Sequence, residues 1–319
     1  MSNQTSLADK PTLTVKKSKA DTLRKWGPVF LLGLPGFAYI FINNYMPLYG
    51  LLIAFKDFKY DQGIWGSAWS GLKNFKFLFQ TQDAWIITRN TILYNLAFIA
   101  VDLVCAVAVA IFLNEIRSKM AKKVYQTLIL LPYLMSMVVV SYLAYAFLGD
   151  RTGIINGFLN SLGFESIRFY ATEKYWPFIL TFVNEWRMIG YGSIIYLSTL
   201  VGLGNEYFEA AELDGATKLQ QIRHITLPLL KPTIIMLTTL SMGRIFRSDF
   251  GLFYQVPRNQ GLLYNVTDTI DTYVFRSLMK TGDIALSSAA AFYQSVVCFI
   301  TIMIFNALVR KFSKENALF

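Results

Sequence analysis

Charge is what this 319-residue chain has least of. Asp, Glu, Lys and Arg make up 16% of it, where an ordinary soluble domain carries about a quarter. Histidine occurs once, at His224, and cysteine twice, at Cys105 and Cys298. A histidine metal cluster is therefore excluded, no CxxC or HExxH motif is present, and no bound metal is expected. Both cysteines fall in apolar runs, where the thiol packs as a small hydrophobe. A disulfide scaffold is excluded with them. The glycines show no period, which rules out a collagen-like rod. No GxxxxGK[ST] phosphate loop occurs, nor any Gly-Lys pair, so the chain cannot cradle ATP in the P-loop manner. It is not expected to be an enzyme. A cleavable leader is not expected either, because residues 1–26 are polar and basic and the apolar run after them is too long for a signal core.

What is abundant is apolar side chain. Hydrophobic residues are 54% of the chain and mean hydropathy is +0.41. This excludes disorder for most of the length and points to an all-α membrane protein. A membrane span needs about 20 mostly apolar residues. Six segments qualify, at about 28–53, 85–113, 124–148, 176–200, 229–256 and 286–309. Pro28, Pro35 and Pro47 predict a bend or break in the first, and Pro132 in the third. Cytoplasmic loops collect Lys and Arg. With both termini inside, the inner segments hold sixteen such residues and the outer loops ten. The expected organisation is thus a cytoplasmic N-terminal tail, 1–26, and one six-span domain over 27–319. The outer loops 54–84, 149–175 and 257–285 carry aromatic and turn residues suited to short interfacial helices. The net charge of +10 follows from this topology, and nucleic acid is not an expected partner.

The inner loop 201–228 carries the most information. Ala, Glu and Leu favour helix up to Leu213. Gly215 has the freedom to end or bend that helix. A second stretch, 216–224, sets Leu219 and Ile222 three apart on one face, and Pro228 opens the next span. Two short helices at an angle are expected, with an apolar face packed back on the bundle and a mixed face offered to a partner. Periodicity alone also fits an amphipathic loop resting on lipid. The pattern is narrower than that. Glu209-Ala-Ala, then Gly215, then nine residues, then Ile225-x-Leu227-Pro228 resembles the EAA loop of permease subunits of bacterial binding-protein-dependent ABC carbohydrate importers. Tyr45-Met-Pro-Leu-Tyr-Gly-Leu-Leu-Ile-Ala-Phe-Lys-Asp57, Gly71-Leu-Lys-Asn-Phe75, Leu113-Asn-Glu-Ile-Arg117 and Asp271-Thr-Tyr-Val-Phe-Arg276 are similar to the polysaccharide-type branch, and within it to importers of alginate, a polymer of uronic acids.

The resemblance implies the type I importer permease fold in a bacterial cytoplasmic (inner) membrane. It implies a second, homologous permease, two cytoplasmic ATPase subunits that bind ATP and Mg, an external or periplasmic solute-binding protein, and an oligosaccharide substrate. This chain itself would bind no cofactor. Carried over position by position, Glu209, Ala210, Ala211, Asp214 and Gly215 become contact and bend residues of a coupling helix. Leu227 and Pro228 fix its join to the fifth span.

Charged groups within spans are costly to insert, so they face the bundle interior or a span end. Asp102 is expected to be a structural pair or a hydrogen-bonded group. Asn184, Glu185 and Arg187 interrupt the fourth span, and Glu185 and Arg187 could neutralise each other. Arg244, Arg247 and Asp249 interrupt the fifth, and Gln294 lies in the sixth. In one reading these residues line a translocation path. The guanidinium groups would then meet the carboxylates of an acidic sugar, to which they bind in bidentate fashion. In the other they are structural ion pairs, or arginines snorkelling to the outer interface. A gradient-driven secondary transporter is the alternative function, with Asp102 or Glu185 as its coupling-ion site. It leaves the EAA loop without a role.

Overall fold

The computed structural model describes residues 19–202, 204 and 206–317. Most of the tail predicted at 1–26 lies outside the described residues. Contacts divide the chain into two units, Met1–Leu51 and Leu52–Phe319. In the first, helix α1 (Lys19–Ile40) begins within the predicted tail and runs through both Pro28 and Pro35. A π-helical turn, Phe41–Tyr45, follows it, and a 3-10 stretch, Met46–Phe55, contains Pro47. The expected break is therefore a change of helical winding near Pro47 and not an interruption.

In the second unit a short antiparallel pair, β1 (Lys56–Asp57) and β2 (Ala68–Trp69), sets Lys56 opposite Trp69. Lys56 is buried, and its Nζ donates to the carbonyls of Ile64 at 2.6 Å and Ser67 at 3.2 Å. Asn74 Nδ2 donates to the carbonyls of Ala54 at 3.0 Å and Lys56 at 2.8 Å. Two of the motif residues noted above thus pin this loop.

Helix α2 (Gln82–Glu115) is capped by Thr81, whose Oγ1 accepts from the Ala84 amide at 3.2 Å. Helix α3 (Lys119–Leu130) leads through a 3-10 turn containing Pro132 into α4 (Met137–Leu148). The two arms meet at 97°, so the third predicted span is bent where Pro132 removes a backbone donor. Then come α5 (Trp176–Gly202), α6 (Glu206–Leu213), α7 (Lys218–Gln221), α8 (Leu227–Met242), α9 (Phe250–Gln255), α10 (Ile270–Thr281) and α11 (Ile284–Phe312). Among the described residues, four helices are long and apolar enough to cross a membrane, or five if the bent pair counts as one span. Helix α5 has the length, at 27 residues, but is not among them. The predicted fifth span, 229–256, is not one helix. Helix α8 stops at Met242, and residues 243–249 turn before α9 begins.

Small residues let α2 and α5 approach. Ala106 and Ala110 are fully buried against Tyr196, Leu197 and Leu200, with Leu230 of α8 closing the cluster. A Cβ at Gly192 would lie 3.0 Å from that of Ala106. A Cβ at Gly190 would lie 2.3 Å from the Ile129 carbonyl oxygen, where only glycine fits. Gly190→Ala is expected to cost at least ~1–3 kcal/mol by overpacking, read as a lower midpoint of thermal unfolding in detergent. A second cluster joins Trp176, Leu180 and Val183 of α5 to Val140, Leu252, Phe253 and Leu263. The long helix α5 is thereby the post around which the unit is assembled.

Candidate functional site

The 206–228 loop is built as two helices joined at Gly215. Gly215 adopts φ +76°, in the left-handed region. The Ala216 amide donates to the Ala211 carbonyl at 2.9 Å, and the Gly215 amide to that of Glu212 at 3.1 Å. This pair of bonds is the Schellman ending of a helix, which asks for glycine where the backbone turns left-handed. Thr217 then caps α7 reciprocally: its Oγ1 accepts from the Gln220 amide, and Gln220 Oε1 accepts from the Thr217 amide at 2.7 Å. A π turn, Ile222–Thr226, carries the chain into α8, where Pro228 sits in the first turn. Its missing N–H costs least there. Lys218 fastens the assembly, with its Nζ 2.9 Å from Glu212 Oε1 and 3.5 Å from Glu115 Oε2 at the end of α2. The hydrogen bond from Lys218 holds the exposed Glu212 carboxyl below its usual range.

The predicted packing is corrected at one point. Leu219 is 75% exposed and does not return to the bundle. Leu213 is 90% exposed and Tyr207 58%. Glu209, Ala210, Asp214 and Gly215 are likewise uncovered, and Ala211 is half-buried. The capped loop therefore offers an apolar as well as an acidic surface, while Gln221 and Thr226 turn inward.

The second group of polar residues gathers at the interruption of the fifth element. Helix α8 loses its ladder after Met242, which leaves backbone carbonyls and an amide inside the unit, and side chains from three helices satisfy them. Asn95 of α2 donates to the carbonyls of Ile245 at 3.0 Å and Arg247 at 2.8 Å. Gln294 of α11 donates to the Phe246 carbonyl at 3.0 Å. Asp271 of α10 accepts from the Ser248 amide at 2.7 Å and hydroxyl at 2.8 Å. Broken helices persist in membranes only where neighbours supply such partners. Gln294 is thus a structural clasp of the break. Gln294→Leu is expected to cost ~1–3 kcal/mol, because the Phe246 carbonyl loses its donor. A lowered unfolding midpoint, with unaltered sugar preference in whatever transport remains, is the readout.

Asp249 caps α9 through Oδ1, 3.1 Å from the Leu252 amide, and pairs through Oδ2 with Arg187 Nη1 at 2.8 Å. Arg187 therefore does not neutralise Glu185. Both oxygens of Glu185 are buried without a hydrogen-bond partner, as is Arg187 Nε. Asn184 is half-buried beside them. Arg244 and Arg247 are exposed and form no ion pair among the described residues. Arg244 lines a cavity of about 310 Å³ with Asp102, Tyr191, Thr238 and Ser241. Asp102 reaches it across Gly192, where a Cβ would stand 3.1 Å from Asp102 Oδ1. The sequence reading passed over Tyr133 and Tyr191, whose rings stack 4.9 Å apart with the Arg187 guanidinium 6.0 Å from the Tyr133 ring. Tyr133 is brought there by the Pro132 bend, and that bend was the one available signal.

Apart from Asn95, both features lie within residues 102–314, which match the model of the family described as binding-protein-dependent transport system inner membrane component. The chain belongs to this family. Among its relatives are two proteins of Bacillus subtilis (strain 168). The polygalacturonan/rhamnogalacturonan transport system permease protein YteP is 34% identical, over 90% of this chain and 89% of that one. Protein LplB is 33% identical over 97% of each. Among solved structures, a bacterial ABC transporter involved in the import of the acidic polysaccharide alginate superposes with a TM-score of 0.84 and 27% identity, over 92% of this permease and 99% of that chain. The bacterial alginate ABC transporter in complex with an alginate pentasaccharide-bound periplasmic protein gives a TM-score of 0.83, again at 27% identity, over 93% of this permease and 98% of that chain. The permease is thus a multi-pass membrane component of a transport system, with the type I ABC importer fold and no catalytic role of its own.

Proposed function

We propose that this permease forms half of the translocation path of an ATP-driven importer for acidic oligo- or polysaccharides of the alginate or polygalacturonan type. The observation that carries this reading is the pair Arg244 and Arg247 at an interrupted helix, without an ion pair among the described residues, Arg244 lining a cavity that also holds tyrosine, threonine and serine. Guanidinium groups suit uronate carboxylates, which they bind in bidentate fashion. The sugars named for YteP and for the alginate transporter, all of which contain uronate units, support the same substrate class. The second half of the path belongs to a homologous permease. The sugar arrives from an external solute-binding protein, and both termini face the cytoplasm of a bacterial inner membrane.

Coupling falls to the 206–228 loop. Its capped, Lys218-fastened helices form a rigid peg, with Glu209, Ala210, Ala211, Asp214 and Gly215 in contact with one of two ATPase subunits that bind ATP and Mg. Leu227 and Pro228 pass its motion to α8. A gradient-driven carrier would have no use for such a peg, and family membership weighs against it.

The test is ATP-dependent uptake by the assembled importer in proteoliposomes. An oligogalacturonate should be taken up in preference to a neutral oligosaccharide of equal length. Uptake that follows an imposed ion gradient without ATP, or equal uptake of both sugars, defeats the reading.

A further inference from the structure

A second polar cavity lies at the far end of α5 from the coupling loop. It measures about 520 Å³ and is lined by Tyr145, Asp150, Arg151, Tyr170, Arg258 and Gln260, among others. That volume falls in the range of small-molecule sites. Three observations set it apart from an ordinary loop crevice. First, Arg258 and the next residue, Asn259, hold φ of +56° and +49°, a left-handed pair that side chains with a Cβ adopt only at a cost. These two residues close α9, the Arg258 amide donating to the Gln255 carbonyl and the Asn259 amide to the Tyr254 carbonyl, each at 3.0 Å, which fixes the point from which the Arg258 side chain leaves the backbone. Second, the aimed group is pre-set. The Arg258 guanidinium lies 4.3 Å from the Tyr145 ring centre and 5.8 Å from that of Tyr142. Stacking on a ring leaves the in-plane N–H donors free, and Arg258 makes no ion pair among the described residues. Third, among the described residues Asp150 Oδ1 is buried with no hydrogen-bond partner, and its other oxygen lies 4.0 Å from Arg168. A buried acceptor of that kind calls for a donor.

The ligand that meets these demands carries a carboxylate for the guanidinium and hydroxyl donors for Asp150. We infer that this cavity is an outer receiving site for one uronate unit of the sugar chain, separate from the arginine pair at the helix break; the inference rests on the acidic-sugar reading above. Arg258 forks the uronate carboxylate with Arg151 beside it. Asp150 accepts from a ring hydroxyl, and Gln260 supplies an amide to another. Burial pushes the Tyr170 phenol up to about 12, so it stays protonated and donates to the Val256 carbonyl at 3.4 Å, a fixed part of the floor. Located at the opposite end of α5 from the ATPase contact, the site holds the trailing part of a chain whose leading unit has reached Arg244 and Arg247.

The test uses the assembled importer in lipid nanodiscs, without its binding protein. Titration calorimetry is run with tetragalacturonate and with a neutral tetrasaccharide. Arg258→Gly suits the left-handed backbone, so its unfolding midpoint should not fall. It should weaken tetragalacturonate binding about tenfold, the loss of one charge-assisted contact. Asp150→Asn should weaken it by less. If tetragalacturonate binds but neither Arg258→Gly nor Asp150→Asn alters it, the outer site is overturned and the acidic-substrate reading stands. If the neutral sugar binds as tightly and neither variant alters either sugar, both are overturned. If Arg258→Gly spares direct binding and reduces only uptake that needs the external binding protein, the surface is a protein contact and the receiving site is overturned.

Discussion

Gly215→Val will leave the permease inserted and assembled while reducing sugar uptake per ATP hydrolysed by at least about tenfold. Nothing stands within 4 Å of a Cβ at this position, so the effect is not steric crowding by a neighbour. It comes from the backbone, held at φ +76°. An L-residue there costs ~1–2 kcal/mol, and a β-branched one costs more. The chain relieves that cost by leaving the left-handed turn. The bonds from Gly215 and Ala216 back to Glu212 and Ala211 then open, and α7 swings away from α6. Lys218 can no longer meet Glu212 and Glu115 together. A peg that transmits rigid-body motion becomes a tether that absorbs it. Because asparagine tolerates left-handed backbone, Gly215→Asn should keep most of the coupling, which separates the turn from the mere loss of glycine. Uptake and phosphate release measured on the same proteoliposomes decide the matter. A Gly215→Val importer with the normal ratio of the two would remove the coupling role.

The second large effect is expected from Arg244→Leu combined with Arg247→Leu. Each charge-assisted hydrogen bond contributes ~1.5–3 kcal/mol, so losing two should depress uptake of an acidic oligosaccharide on the order of a hundredfold or more. Assembly should survive. The break that carries these arginines is held through its backbone carbonyls by Asn95 and Gln294, and through Ser248 by Asp271, with no help from the guanidinium groups. Arg187 offers the contrast. It is paired with Asp249, and Arg187→Leu should act first on stability by stranding that carboxylate. Normal acidic-sugar uptake by the double leucine variant, with intact assembly, would make the arginines structural.

What the sequence could and could not say follows from which interactions are local. The two capped helices of the 206–228 loop were legible because their caps are made within a few residues: Gly215 and Ala216 close onto Glu212 and Ala211, and Thr217 onto Gln220. Pro132 announced its bend, because a missing donor is a property of one residue. The extent of the fifth span was not legible, since residues 250–256 are apolar enough to continue a helix and the clasps that break it come from α2, α10 and α11. The bond that Gln294 makes was hidden for the same reason: only the fold shows that a carbonyl waits for it. The imagined Glu185–Arg187 pair fails on helical geometry, because residues two apart do not face each other. Asp249, 62 positions further on, is the real partner. Leu219 looked like core from its spacing, yet spacing gives a face and does not say what covers it.

The interruption at 243–249 has a mechanical consequence. A continuous rod resists pivoting because each step of rotation must tear consecutive rungs from its own ladder. Here the rungs are already missing, and three long-range tethers from separate neighbours bear the load. The threshold for rocking one arm against the other is then set by Asn95, Gln294 and Asp271, so the stiffness of the joint can be tuned at these three side chains without touching Arg244 or Arg247.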